Sequence, residues 1–94
     1  MTFGKQLLLE RKKNKLSAEK LAKACGVSRS YITLIENEQR LPSKDVMPKI
    51  AKALNIETEV VINWYLDGLR VKLERVLLNK DNDSDVPENI PELS

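Results

Sequence analysis

Apolar residues along this chain recur at helical spacing, in short runs separated by capping and helix-breaking residues, and no internal repeat is visible. The first run, Phe3 to Lys13, carries Phe3, Leu7 and Leu8, with Thr2 placed to act as N-cap. Lys12-Lys13-Asn14-Lys15 closes it with cations, which suit the negative end of a helix. Ser17-Ala18-Glu19-Lys20 has the cap chemistry of a second start, which continues through Leu21, Ala22 and Cys25 to Gly26. Gly26 stands where a left-handed residue ends a helix. Ser28 caps a third helix that turns Ile32 and Ile35 inward and stops near Asn37, and Leu41-Pro42-Ser43 reads as a loop. Asp45 or a neighbour opens a fourth helix, because Pro48 fits a first turn where its missing N–H is not required. That helix buries Ile50, Ala51 and Leu54. Thr58 caps a fifth, long helix from Glu59 to about Leu78. Residues 79–94 are polar, contain Pro87 and Pro91, and predict a disordered tail.

The fifth helix carries more apolar surface than one core contact uses. Ile62, Leu66, Leu69, Leu73 and Val76 are spaced as the seam of a short coiled coil. Val61, Trp64, Gly68, Val71 and Leu78 form a second stripe about 100° around the helix, and Glu59, Asn63, Asp67, Arg70 and Glu74 complete a polar side. Four short helices cannot cover a rod of roughly 30 Å. One stripe therefore packs on the preceding helices and the other, especially toward the C-terminus, is left for a second subunit; the competing expectation is that both fold into one intramolecular core. A homodimer through Leu66, Leu69, Leu73 and Val76 is the favoured outcome.

Composition agrees with an all-α fold. The chain has 94 residues, one domain's worth, and its 41% hydrophobic and 32% charged content is that of a folded chain. Only 3 glycines, 4 prolines and 4% aromatics argue against a turn-rich β-sandwich. A single cysteine allows no internal disulfide, and Cys25 is expected in the core rather than as a redox sensor. The absence of histidine removes the commonest general base and metal ligand. There is no recognisable nucleophile–base pair, glycine-rich phosphate loop or metal-ligand cluster, so no catalytic residue, metal or cofactor is expected. The longest uncharged stretch, Val60 to Leu66, is far short of the ~20 residues of a membrane span. Met1-Thr2-Phe3-Gly4-Lys5 lacks the apolar run of a secretory signal, which predicts a cytoplasmic chain.

The net charge of +2 conceals a division. Residues 1–55 hold 12 Lys/Arg against 5 acids, a local balance of +7, whereas residues 79–94 hold Lys80 against 5 acids, a balance of −4. A basic body is either a surface for a polyanion or an ordinary lysine-rich solvated surface. The junction of the second and third helices favours the first alternative. Only Gly26-Val27-Ser28 joins them, which forces a steep crossing, the helix-turn-helix unit. Ala22 is small where the helices approach, and Val27 with Leu21, Cys25, Ile32 and Ile35 fills the wedge between them. The outward side of the third helix is then free to enter a major groove.

In these residues the chain resembles the Cro/repressor-like (XRE, lambda-repressor-like) helix-turn-helix family. The likeness runs through Leu21-Ala22, Gly26-Val27-Ser28-Arg29-Ser30, Ile35-Glu36, Pro42-Ser43 and Ile50-Ala51-Lys52-Ala53-Leu54, within roughly residues 3–66. It implies a five-helix domain, here residues 1–78 with the extended fifth helix, that binds operator DNA, usually as a dimer. By position it implies that Arg29, Ser30, Thr33 and Leu34 face the bases. The Arg29 guanidinium suits guanine O6 and N7, Ser30 suits either kind of base-edge group, and Leu34 suits a thymine methyl. Phosphate contacts are expected from Ser17, Ser28, Asn37, Gln39, Arg40 and Lys44. Tyr31 either donates its hydroxyl to a phosphate or packs against the second helix.

Two residues depart from the family pattern. Ala18 stands where a phosphate-clamping glutamine is common, and Glu38 where a glycine is common. Arg11 and Glu36 occupy positions that pair the first and third helices in some members, with a secondary phosphate role open to Arg11. The expected activity is sequence-specific binding of double-stranded DNA in transcriptional regulation, as a repressor on an inverted repeat. The alternative is an antitoxin-type or antirepressor-controlled module whose C-terminal helix or tail binds another protein. The acidic tail is read either as a shield over the basic face or as a partner peptide around Val86 to Leu93.

Overall fold

Three serine and threonine hydroxyls start the first three helices. In the computed structural model, which describes residues 1–78, the Thr2 Oγ1 accepts the Lys5 N–H at 3.4 Å, the Ser17 Oγ that of Lys20 at 3.1 Å, and the Ser28 Oγ that of Tyr31 at 3.0 Å. They open α1 (Phe3–Lys13), α2 (Ala18–Cys25) and α3 (Arg29–Glu36). α4 (Met47–Ala53) follows Val46, the neighbour of Asp45, has no side-chain cap, and holds Pro48 in its first turn as expected. α5 spans Thr58–Leu78, so Thr58 is the first helical residue and not its cap. The Val60 N–H already reaches the Glu57 carbonyl at 3.0 Å, which starts the helical pattern one residue early. Among the described residues there is no strand, and the tail expected at 79–94 lies outside them.

Four helices end in one common way. Lys15, Gly26, Glu38 and Asn55 adopt left-handed φ of 54°, 68°, 64° and 57°. After each, the next N–H reaches back five residues: Leu16 to Arg11 and Val27 to Ala22 at 3.0 Å, Gln39 to Leu34 and Ile56 to Ala51 at 2.9 Å. These bonds satisfy terminal carbonyls and turn the chain sharply, so that Leu16, Val27 and Ile56 fold back onto the core.

The core is built from Leu7, Leu21, Cys25, Ile32, Ile35, Ile50, Leu54 and Val61. α2 packs on α3 and α4, α4 on α5, and α1 bridges α3 and α5. At Gly4, α1 crosses the end of α3 so closely that a Cβ would overlap the Ile35 carbonyl oxygen and sit 2.9 Å from that of Glu36. Phe3 meets Trp64 edge-on at 5.8 Å and pins the start of α1 to α5.

α5 divides its stripes as the pattern predicted at its N-terminal half. Val61 and Trp64 are buried and Val71 half-buried, while Leu78, assigned to the same stripe, is exposed because no element reaches the end of the helix. The heptad seam is uncovered along its length, from 39% exposure at Val76 to 56% at Leu66. The expectation that both stripes join one intramolecular core therefore fails.

Candidate nucleic-acid interface

The turn between α2 and α3 fixes which face of α3 is free. Gly26 supplies the positive φ, Ser28 restarts the helix two residues later, and Ile32 and Ile35 lock α3 inward with no exposed surface. At 100° per residue, Arg29, Ser30, Thr33, Leu34 and Asn37 then share one outward arc of about 140°. All five are exposed. Leu34 is 37% exposed, an apolar residue in the middle of a polar edge.

Gln39, Arg40 and Lys44 lie on the loop after α3 and are exposed as well. Tyr31 ties that loop to the helix. Its hydroxyl accepts the Ser43 N–H at 2.9 Å, and the Arg40 guanidinium lies over its ring, 4.5 Å from the centroid. Tyr31 is also half-buried against the core that contains Leu21, Ala22 and Cys25 of α2, and its hydroxyl hydrogen stays available as a donor. Ser43 was not among the expected site residues, because a backbone donor leaves no mark in the side-chain pattern. Buried Pro42 beside it is the visible trace of a fixed loop.

Ser17 and Ser28 are exposed caps, each accepting a bond from its own helix while its hydroxyl hydrogen is free to donate outward. Ser28 adjoins Arg29, whereas Ser17 lies at the other end of α2, about 12 Å away along an eight-residue helix. The expected residues thus fall into a continuous group on α3 and its loop and a separate point at the start of α2.

Behind this edge, Arg11 Nε and Nη2 donate to the two Glu36 carboxylate oxygens at 2.6 and 3.0 Å, and Nη1 donates to the Leu16 carbonyl at 2.9 Å. The bonds to Glu36 hold the Arg11 guanidinium above its ordinary pKa despite partial burial. The pair joins α1 to the last turn of α3, as expected. Cys25 is buried, and burial pushes its thiol up more than nearby Lys49 pulls it down, which keeps it protonated at neutral pH.

A steeply crossed helix pair, an outward polar edge on its second member and a braced basic loop find their counterpart in known proteins: the helix-turn-helix family pattern matches residues 7–61. The chain belongs to the helix-turn-helix family, of XRE, lambda-repressor-like type. It is 28% identical over 93 residues to the immunity repressor protein of Bacillus phage phi105, covering 99% of this chain and 62% of that protein. It is 35% identical over 69 residues to the control protein C.BamHI of Bacillus amyloliquefaciens, covering 72% of this chain and 85% of that one. Among solved structures, the P22 c2 repressor in complex with synthetic operator 9T superposes with a TM-score of 0.61 at 26% identity, over 65% of this chain and 92% of the repressor. The chain spans about three-fifths or less of the length of several of these curated relatives, 62% of one and 41% of another.

Within this helix-turn-helix frame the two departures read differently. Ala18 leaves the start of α2 with backbone donors and the Ser17 hydroxyl alone. Glu38 adopts the left-handed conformation that glycine adopts more readily, so the loop geometry is kept and the substitution is absorbed as local strain. No described helix is long and apolar enough to cross a membrane, and no group of three or more potential metal ligands occurs among the described residues.

Proposed function

We propose that this chain is a sequence-specific, double-stranded-DNA-binding transcriptional regulator, acting in the cytoplasm as a repressor by binding and not by catalysis. The observation that carries the reading is the exposed edge of α3, Arg29 through Leu34, held rigid by Ile32 and Ile35 behind it. Arg29, Ser30, Thr33 and Leu34 meet base edges in a major groove. Asn37, Gln39, Arg40, Lys44 and the caps Ser17 and Ser28 hold the phosphate backbone, and Tyr31 positions the loop. The likeness to a phage immunity repressor and to a repressor solved on its operator supports this reading.

The functional unit is residues 1–78, acting as a homodimer through Leu66, Leu69, Leu73 and Val76, which are apolar, in heptad register and exposed. A two-fold pair places two α3 helices on one face of DNA, and the operator is an inverted repeat with half-sites about one turn apart. Titration of a labelled duplex pool across salt concentrations tests the reading. Affinity should fall steeply, by about 10³-fold or more between 50 and 200 mM salt for six or more phosphate contacts. Salt-insensitive binding, or none, removes the proposal.

A further inference from the structure

Beyond Trp64, the side of α5 that meets α1 opens into a groove of about 330 Å³, bounded by the start of α1, the loop after α3 and the C-terminal half of α5. Phe3, Leu41, Leu69 and Val71 supply apolar lining, and Arg40, Lys72 and Arg75 stand over it against the single acid Glu38. Among the described residues none of these three cations forms a salt bridge. The occupant this lining fits is an acidic segment with spaced apolar side chains, and the volume is within the range of ligand-binding cavities.

We propose that residues 81–93 of the same chain seat in this groove. From Asp81 onward the sequence has Asp81, Asp83, Asp85, Glu88 and Glu92 with no cation, and Val86, Ile90 and Leu93 interleave with them. The lining and the segment therefore match in both charge and hydrophobicity. The geometry of attachment agrees. Arg75 lies one turn before Leu78, the last residue of α5, and Leu69 lies about 14 Å back along the helix. Residues 79–86 span up to about 26 Å when extended, so Val86 reaches the Leu69 end of the groove. Tethering raises the effective concentration of the segment to about the millimolar range, so individually weak contacts suffice. Pro87 and Pro91 restrict the chain and lower the entropy lost on seating. Lys72 and Arg75 are about 80° and 140° around α5 from the heptad seam, so a seated segment meets that seam only at Leu69 and leaves Leu66, Leu73 and Val76 open to a second copy.

Arg40 belongs both to this groove and to the loop assigned above to phosphate contacts. A seated acidic segment competes with phosphate for it and weakens binding to non-operator DNA. This consequence rests on the proposed function; the seating itself does not. The test uses the full chain carrying Val86→Ser, Ile90→Ser and Leu93→Ser together, which leaves charge and the helical core untouched.

Backbone amide NMR should show shifts at Gln39, Leu41, Lys72 and Arg75, little change at Leu21 and Ile32, and no dependence on protein concentration. Affinity for non-operator duplex should tighten by about threefold to tenfold, the worth of one or two regained phosphate contacts. Shifts without any duplex binding would uphold the seating while the regulator reading fails. Unchanged spectra would overturn the proposal. So would shifts that grow with concentration, which place a second copy in the groove. It would also be overturned if affinity responded only to Asp81→Asn, Asp83→Asn and Asp85→Asn, the mark of diffuse charge repulsion.

Discussion

Glu38 shows how one backbone position serves the interface. Its left-handed φ of 64° lets the Gln39 N–H reach the Leu34 carbonyl at 2.9 Å and swings Gln39 and Arg40 away from the end of α3. A side chain in that conformation is disfavoured by about 1–2 kcal/mol, partly offset when glycine replaces it by the greater freedom of glycine in the unfolded chain. Glu38→Gly should therefore stabilise the protein by up to about 1 kcal/mol in urea unfolding; a loss of stability would mean that the Glu38 side chain makes a contribution larger than the strain. The sequence shows Gly26 as a helix end but is silent at Lys15, Glu38 and Asn55, which take the same conformation with side chains that announce nothing. Those three turns are imposed by the packing of the next helix. The outward residues of α3 were legible because Ser28 fixes the helix start, and Ile32 and Ile35 then fix the phase. The Tyr31–Ser43 bond was not, since it joins a side chain to a backbone donor across twelve residues.

The starts marked by Thr2, Ser17 and Ser28 were readable to the residue, the fourth fell on the neighbour of Asp45, and Thr58 marked the fifth start one residue late. α4 begins after Val46 without a side-chain cap, and in α5 Thr58 is itself helical. The join between α1 and α3 shows what helical periodicity leaves out. The Arg11–Glu36 pair was expected, yet the closer restraint is Gly4, where the two backbones meet without room for a Cβ. A methyl group there must displace backbone, which yields less readily than a side chain. Gly4→Ala should lower stability by about 2–3 kcal/mol in denaturant and loosen the end of α3, with faster amide exchange at Asn37 and Glu38. Unchanged stability would show that α1 docks with slack.

Among the described residues the seam of α5 is an apolar surface without an intramolecular cover. Its heptad register was visible in the sequence. Its assignment to a partner left the Val61–Trp64 stripe for the core, but how far along that stripe the cover extends was not legible, because that depends on how α1 and α4 approach the helix. In the structure Phe3 and the end of the core take the Val61–Trp64 side. Leu69→Asp or Leu73→Asp should convert a dimer to monomers in sedimentation and weaken operator binding, while thermal unfolding of the monomer changes little because both side chains are already exposed, at 41% and 45%. A dimer that survives both changes would remove the seam as its interface.

Selection of bound duplexes from a random pool, performed with the native chain and with Arg29→Ala, asks whether the edge of α3 reads sequence. The native chain should enrich an inverted repeat, and Arg29→Ala should lose preference at one guanine in each half-site with about 1–3 kcal/mol less discrimination there. An unaltered preference, or an equal weakening at every position, would contradict base reading by Arg29 and return it to the phosphate backbone.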